Sequence, residues 1–273
     1  MKNILNYRIK LLIAFFGSVV LLSSCEYQKI ADATYPDPVI YMPAATNGIF
    51  TIDNVPQRAE FLPTPGYAYR FKMDLANNKF IVPLGVYRSG LDHSGTVTAN
   101  IAVNMDTITN LLAISQLPAE TGILPSSKFS VPASVDIPSG AVFGDFNLSI
   151  DVNYLKSFAD TIFALGVGIT SSQLKVNPLY KTTILVLYTK ILLPEANFST
   201  TIDATNHSKV SFTNTSTFQM KNLWNFGDGA TDTVKAPVHI YSTTGTYNVT
   251  LTAVGVLGSV NQSVKTVPVT IVP

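Results

Sequence analysis

Short runs in which apolar and polar residues alternate dominate this sequence and limit the folds open to it. The clearest runs cover 97–105 and 146–153, and a third, 163–169, alternates apolar residues with Gly166 and Gly168. Successive side chains of a strand point to opposite faces, so a period of two predicts strands that turn one face towards a core. The pattern therefore predicts an all-β chain.

The segments between these runs favour the same fold class. Glycine, proline and small polar residues cluster at three places where tight turns are expected: 88–90, 92–95 and 138–140. The run 181–193 is rich in β-branched and aromatic residues, which favour strands. Two stretches, 108–114 and 153–158, can form helical turns, but no segment keeps a helical period. Short strands at regular spacing predict β-sandwich packing.

Composition excludes several classes of protein. Of the 273 residues 13% are charged, and 18 basic against 17 acidic residues give a formal net charge of +1. This balance leaves no basic field for nucleic acid. One cysteine and three histidines cannot provide an intrachain disulfide or a cysteine-rich zinc site. We predict no nucleic-acid partner and no cofactor, and also no metal site, because Asp203, Asp228 and Asp232 lack the ligand spacing of a calcium loop.

The first residues carry an export signal. Basic residues precede an apolar run, Leu11 to Leu22, that is too short to span a membrane but fits the hydrophobic region of a signal peptide. The next residues, Ser23-Ser24-Cys25, complete a motif that resembles the lipobox of bacterial lipoproteins. The resemblance implies a signal peptide over 1–24, acylation of Cys25 and a tether over 25–34. The alternative is an ordinary signal peptide followed by an unrelated cysteine.

Three motifs near the C-terminus follow one another in a fixed order. They are Trp224-Asn225-Phe226-Gly227-Asp228-Gly229, Pro237-Val238-His239-Ile240-Tyr241 and Gly245-Thr246-Tyr247-Asn248-Val249-Thr250-Leu251. They resemble the signature of the polycystic kidney disease (PKD) repeat domain. The resemblance implies an immunoglobulin-like β-sandwich over 195–273 that serves as a spacer or an interaction module. A boundary with the preceding domain is predicted near Pro194.

The aromatic residues of these motifs are interpreted as core. Trp224 and Phe226 share one face of a predicted strand, and because no disulfide is available Trp224 is expected to be held by apolar packing alone. Tyr247 precedes Val249 by two residues, which is the spacing of the tyrosine corner in immunoglobulin-type sandwiches. The alternative for Trp224 is a platform for a sugar ring.

The residues before Pro194 resemble a different family. Their order is an extended segment at 35–43, a strand ending in Arg88-Ser89-Gly90, an alternating run to 106, and the segment 135–140. This order resembles an N-terminal domain common in Bacteroidetes lipoproteins, the domain of unknown function numbered seventeen thirty-five. The resemblance implies a β-sandwich over 35–193, on surface lipoproteins often encoded with glycan-uptake machinery, and it implies no reaction. The predicted fold is thus two tandem immunoglobulin-like β-sandwich domains after a lipoprotein signal peptide.

We expect no enzymatic activity. Glycoside hydrolysis needs two facing carboxylates. The four glutamates fall in linker-like or loop-like contexts: Glu26, Glu60, Glu120 and Glu195. The sequence lacks the serine hydrolase motif G-x-S-x-G and the zinc motif H-E-x-x-H. Asp228 and His239 are interpreted as turn and strand-end structure, and a hydrolase is the weakest of the functional hypotheses.

The sequence favours a binding function. Exposed aromatic faces bind the CH groups of sugars, with polar neighbours for the hydroxyls. The candidate rings lie in loop-like stretches of the first domain: Tyr67, Tyr69, Tyr87 and Tyr154. The alternative for each ring is half-buried packing in a sheet.

Three Asp-Thr-aliphatic triplets add a candidate modification. They resemble the O-glycosylation acceptor of Bacteroidetes exported proteins, and the acceptors are Thr107, Thr161 and Thr233. Taken together, the sequence predicts a lipid-anchored outer-membrane protein exposed at the cell surface. Its predicted role is glycan binding as an accessory of a polysaccharide-uptake system. The alternative is a structural or adhesive surface lipoprotein with a protein partner.

Overall fold

Two six-stranded sheets face each other across the first part of the chain. The computed structural model describes residues 36–55 and 69–273, so the predicted leader, Cys25, the tether and Tyr67 lie outside the described residues. The strands are β1 Val39–Tyr41, β2 Ile49–Ile52, β3 Lys72–Asp74, β4 Lys79–Arg88, β5 Val97–Val103, β6 Gly122–Ile123, β7 Phe129–Ser130, β8 Ser134–Ile137, β9 Phe143–Asp151, β10 Ile162–Thr170, β11 Lys175–Val176 and β12 Thr182–Tyr188. One sheet has the order β11-β1-β4-β9-β7, with β3 beside β4. The other has the order β2-β12-β10-β5-β8, with β6 beside β10.

The alternating runs place the core where the sequence predicts it. Phe146, Leu148 and Ile150 of β9 are buried, and β4 pairs with this strand and turns Phe80 and Leu84 to the same side. These residues join side chains of the opposite sheet in one large cluster. Because each sheet buries one face against the other, this part of the chain is a β-sandwich, and the all-β prediction is confirmed.

Strand β10 differs from its neighbours because it is buried on both faces. Its outward-facing Ile162 packs with Ile108 in a second, smaller cluster. Ile108 belongs to helix α1 (Met105–Ala113), which covers this side of the sheet. Helix α1 and the shorter α2 (Val152–Lys156) confirm the two predicted helical stretches. Single 3-10 turns lie at Pro43–Ala45, Ser126–Lys128, Thr189–Leu192 and Gly258–Val260.

A buried arginine organises the predicted turn at 92–95. The side chain of Arg88 is 5% exposed, and its guanidinium donates to the carbonyl oxygens of Asp92 (3.1 Å), Ser94 (2.8 Å) and Gly95 (3.0 Å). A guanidinium stays charged in a protein, so its burial depends on such acceptors. The three bonds tie this loop to the end of β4.

The C-terminal part of the chain forms a smaller sandwich. Its strands are β13 Phe198–Ile202, β14 Lys209–Asn214, β15 Lys221–Asn225, β16 Thr231–Asp232, β17 Val238–Ile240, β18 Gly245–Val254 and β19 Gln262–Ile271. The sheets have the orders β13-β14-β17 and β16-β15-β18-β19. Val249, Leu251 and Ala253 of β18 are buried, as their alternation predicts. Gly227 and Gly229 have φ values of 84° and 95°, which the tight turn between β15 and β16 requires.

Trp224 is the centre of the second core. It is 1% exposed and meets the ring of Phe198 edge-on at 5.1 Å, which confirms the core interpretation over the sugar platform. The prediction that apolar packing alone holds it is wrong, because its indole N–H donates to the carbonyl of Val234 at 3.0 Å. A buried indole needs such a partner. The tyrosine corner is confirmed, since the hydroxyl of Tyr247 donates to the carbonyl of Thr243 at 2.9 Å.

The two sandwiches are joined by a shared core. Leu257, in the connection between β18 and β19, is 2% exposed and belongs to the core cluster of the first sandwich. The side chain of Asn261 donates to the carbonyl of Leu192 at 2.6 Å, and Gly255 lies against the ring of Pro194. Residues 38–273 accordingly form one compact unit. The second sandwich is packed against the first rather than held on a free linker.

Candidate functional site

A row of aromatic side chains crosses the outer face of the first sheet. Tyr41 of β1 is the register partner of Tyr87 of β4, and Tyr87 is the register partner of Phe143 of β9. Register partners point to the same face, and neighbouring strands lie about 4.8 Å apart. Ile40 and Val86, which precede Tyr41 and Tyr87, face the core, so the tyrosines face outward. We call Tyr41, Tyr87, Phe143 and the adjoining Tyr180 the aromatic row.

The rings of the tyrosines are in contact. The ring centroids of Tyr41 and Tyr87 are 5.5 Å apart with an interplanar angle of 42°, and those of Tyr41 and Tyr180 are 6.3 Å apart at 58°. Backbone hydrogen bonds hold Tyr180 at the end of β1, because its carbonyl accepts from the N–H of Met42 at 2.9 Å. All three rings are half-buried, so each keeps part of its surface open to solvent.

A glycine lets the fourth ring lie close to the sheet. The ring of Phe143 occupies the space that a side chain at Gly85 would fill. Gly85 lies two residues before Tyr87 on β4 and therefore faces the same side of the sheet. Any larger residue there would displace the phenyl ring. Phe143 is thereby pressed onto the sheet and extends the apolar surface beside Tyr87.

Polar groups border the aromatic row. Asp145 and Asn147 follow Phe143 on the same face of β9, and both are exposed. Within the part of the chain that the structure describes, no hydrogen bond is made by the hydroxyls of Tyr41, Tyr87 or Tyr180. Burial, with a contribution from Tyr87, raises the pKa of the Tyr41 hydroxyl above its usual value. That hydroxyl therefore stays protonated at neutral pH and can both donate and accept hydrogen bonds.

This arrangement suits a ligand with apolar faces and polar edges. Aromatic faces attract CH groups, while the hydroxyls, a carboxylate and an amide at the border can bond to hydroxyl groups. The row lies across the strands of a sheet, so its surface is broad and shallow rather than a closed cavity. A chain-like ligand can lie along it and extend beyond both ends.

The structure separates the tyrosines that the sequence singles out. Tyr87 lies on β4 within the aromatic row. Tyr154 lies on α2, where its ring packs against Phe158 at 4.8 Å and Phe163 at 5.6 Å, so it contributes to packing. Tyr69 is half-buried and lies just before β3. The prediction of a loop-like context is wrong for both, because Tyr87 lies in β4 and Tyr154 lies in α2.

Three members of the aromatic row escape the sequence reasoning. Tyr41 follows Ile40 in a three-residue strand, which is too short to show an alternating pattern. Phe143 lies at the start of β9. The sequence feature that could have identified them is the alternation of inward-facing and outward-facing residues along each strand. Once Ile40 and Gly144 face inward, Tyr41 and Phe143 must face outward.

The predicted O-glycosylation acceptors have different surroundings. Thr107 lies in the first turn of α1 and Thr161 directly before β10, and both are half-buried. Thr233 is exposed, and its N–H donates to the carboxylate of Asp232 at 2.6 Å. Asp232 therefore serves as a turn residue in this triplet, independently of any modification.

Asp228 and His239 form a structural pair in the second sandwich. The Nε2 of His239 lies 2.7 Å from Oδ2 of Asp228, and the imidazole stacks on Phe226 with 4.2 Å between centroids. Burial acts to raise the pKa of the Asp228 carboxyl, but hydrogen bonds from His239 and the N–H of Ala230 bring it below its usual value. The pair links the β15–β16 turn to β17. Among residues 36–55 and 69–273, no three His, Cys, Asp or Glu side chains are grouped so as to hold a metal ion.

Comparison with known families identifies the second sandwich. The family model for the PKD domain matches residues 193–271. This part of the chain is a PKD domain. A second family model, described as a "-like, N-terminal domain", matches residues 61–176. No curated protein matches the chain.

Several solved structures are similar to parts of the chain. The PKD1 domain of the Vibrio cholerae metalloprotease PrtV is 28% identical, with 30% of this chain and 99% of that domain covered and a TM-score of 0.27. A Bacteroides ovatus protein provisionally described as carbohydrate binding is 9% identical, with coverages of 79% and 64% and a TM-score of 0.40. A multidomain Bacteroides ovatus protein including DUF1735 is 16% identical, with coverages of 79% and 58% and a TM-score of 0.34. This chain spans less than two thirds of either Bacteroides protein.

Proposed function

We propose that this chain is a lipid-anchored protein of the bacterial cell surface that binds glycan chains through the aromatic row. The observation that supports the proposal is the alignment of Tyr41, Tyr87 and Phe143 across three strands, with Tyr180 beside them. Pyranose rings have CH faces that stack on aromatic rings and hydroxyl edges that bond to polar groups. In this role the protein would be an accessory of a polysaccharide-uptake system, and the PKD domain would hold the first sandwich in a fixed orientation.

The same surface supports binding without turnover. Glycosidases place two carboxyl groups about 5–10 Å apart. Asp145 borders the aromatic row, and Asp151 is the other carboxylate on the outward face of β9. These residues are six positions apart, which is about 20 Å along an extended strand. The Asp151 carboxylate also accepts from the N–H of Asn153 at 2.9 Å, which fixes it at the start of α2.

Substitution of Tyr87 tests the proposal. A fragment beginning at residue 26 retains the compact unit and can be run in native gels that contain β-glucan, xylan, galactomannan, α-mannan or pectin. We expect at least one polysaccharide to retard the fragment. Tyr87→Ala should weaken that interaction about tenfold, because a lost aromatic contact of about 1.4 kcal/mol changes an equilibrium constant tenfold.

Tyr154→Ala is the matched control for this experiment. It removes the same side chain from another part of the first sandwich, where the ring packs against Phe158 and Phe163. Retardation should be unchanged in this variant as long as the fragment is folded, which circular dichroism verifies. Absence of retardation on every polysaccharide, or equal weakening by both substitutions, would refute the glycan proposal.

The lipid anchor depends on one side chain outside the described residues. Cys25 follows the lipobox-like Leu22-Ser23-Ser24, and its thiol is the group that an acyl-transfer system would modify. We expect the full chain, expressed in a Gram-negative host, to enter the detergent phase of a Triton X-114 extraction. Cys25→Ser should move it to the aqueous phase or leave the precursor unprocessed. A processed Cys25→Ser protein in the detergent phase would contradict the anchor. No helix within residues 36–55 and 69–273 has the length and apolar character needed to span a membrane.

A protein partner is the second candidate function, and β19 is the feature that favours it. Among the described residues this ten-residue strand pairs with β18 alone, and no described strand lies along its other edge. Open edges can pair with a strand of another protein. Pro268 and Lys265 lie in β19, however, and proline and lysine are the residues that prevent such pairing. The glycan proposal therefore has the stronger structural support.

A further inference from the structure

A groove between the two sandwiches is separate from the aromatic row. It has a volume of about 830 Å³, within the range of small-molecule sites. One wall is strand β3 with the residue that follows it, and the other is the end of the PKD sheet at β15 and β18. Residues that contribute side chains to the two walls are Lys72, Met73, Leu75, Met220, Lys221 and Leu223.

The groove exposes apolar side chains on both walls. Leu75 on one wall and Met220 and Leu223 on the other are 46%, 47% and 45% exposed. A concave site of this size with a mostly apolar lining is typical of ligand-binding pockets. Thioethers such as those of Met73 and Met220 adapt their shape to a ligand. The apolar lining therefore fits a flexible hydrocarbon.

The charge of the groove has one sign. Lys72 and Lys221 are exposed, one on each wall, and neither forms an ion pair with a described residue. No described lining residue is acidic. The nearest carboxylate in the sequence, Asp74, is not a lining residue; it accepts from the side chain of Asn77 at 2.9 Å, and its pKa is lowered by hydrogen bonds from Asn77 and by the charge of Lys72. An anionic group between the lysines would gain charge-assisted hydrogen bonds.

We propose that this groove binds a small amphiphilic anion, a medium- or long-chain carboxylate. The hydrocarbon lies against Leu75, Met220 and Leu223, and the carboxylate lies between Lys72 and Lys221. Both walls are fixed relative to each other because Leu257 anchors the PKD domain in the first core. The site is independent of the aromatic row, so failure of one proposal leaves the other intact.

Calorimetric titration of the fragment from residue 26 with sodium decanoate, below its micelle concentration, tests the proposal. We expect one site per chain, and at least tenfold weaker binding in the double variant Lys72→Glu/Lys221→Glu. The variant Met220→Gln/Leu223→Gln, which leaves both lysines in place, should also weaken binding. Decyltrimethylammonium has a similar hydrocarbon tail and the opposite charge, and it should bind at least tenfold more weakly than decanoate.

A charge-matched variant completes the design. Lys175→Glu/Lys181→Glu changes the net charge equally at two exposed lysines of the first sandwich that do not line the groove. Decanoate affinity should be unchanged in this variant. Absence of decanoate binding, equal loss in both double-charge variants, or equal binding of decanoate and decyltrimethylammonium would each overturn the proposal. Thermal midpoints confirm that every variant is folded.

Discussion

Leu257→Asp should destabilise the first sandwich although the residue belongs to the PKD domain. Its side chain is 2% exposed and contributes to the core cluster that contains Phe80 and Leu84. Removal of a buried leucine side chain costs about 2–5 kcal/mol, and a carboxylate in its place adds the cost of burying a polar group. We therefore expect the free energy of unfolding to fall by at least about 3 kcal/mol.

Two optical probes separate the sandwiches in this experiment. Trp224 is the sole tryptophan and lies in the PKD core, so its fluorescence reports the unfolding of that domain. Far-ultraviolet circular dichroism reports both domains. In the wild type the two urea transitions should coincide because the core is shared. In Leu257→Asp the circular dichroism midpoint should fall further than the fluorescence midpoint.

Val260→Asp provides the control in the same connection. Val260 is 82% exposed, so the substitution should change stability by no more than about 0.5 kcal/mol. If Leu257→Asp behaves like Val260→Asp, the two sandwiches do not share a core, and the PKD domain is a flexible appendage.

Trp224→Ala should unfold the PKD domain or leave it barely stable. Replacing a buried tryptophan by alanine costs about 3–5 kcal/mol, which is comparable to the whole stability of a small domain. The rings of Phe198 and Phe212 would lose their partner, and the carbonyl of Val234 would lose its donor. Differential scanning calorimetry should show one transition in the wild type, and in Trp224→Ala the PKD domain should unfold at a much lower temperature or be unfolded from the start of the scan.

Two neighbouring substitutions calibrate this result. Trp224→Phe keeps an aromatic ring but removes the indole N–H, so we expect an intermediate loss of about 1–3 kcal/mol. Leu223→Ala changes the adjacent residue, which is 45% exposed, and should have little effect. A Trp224→Ala protein as stable as Leu223→Ala would contradict the central position of the indole in the core.

The strands were predictable because alternation is a local property. Phe146, Leu148 and Ile150 repeat every second residue, and the structure buries all three. The PKD sandwich was also predictable from the sequence, since each of its three motifs is a continuous stretch. The first motif contains the turn at Gly227 and Gly229. The indole hydrogen bond to Val234 was missed because it joins β15 to a loop, and a loop has no alternating residue pattern from which its conformation can be predicted.

The candidate site was only partly predictable, because its residues become neighbours only through the pairing register of separate strands. Tyr87 was singled out from the sequence, but as a ring in a loop-like stretch rather than on the outward face of β4. Tyr41 and Phe143 become its neighbours only when β1, β4 and β9 pair, and pairing depends on contacts between distant parts of the chain. The insertion of Leu257 into the first core is non-local in the same way. Its sequence context, Val256-Leu257-Gly258, is apolar but does not say which core it enters.

Contact between glycan and the aromatic row is the central claim, and saturation-transfer difference NMR measures it directly. The fragment from residue 26 is mixed with oligosaccharides of the polysaccharide that retards it, and the protein is saturated at aromatic frequencies. Saturation should appear on the sugar ring CH protons with the wild type and should be lost in Tyr41→Ala/Tyr87→Ala, provided that this variant keeps its circular dichroism spectrum. Equal saturation of the sugar in the folded double variant would contradict the account.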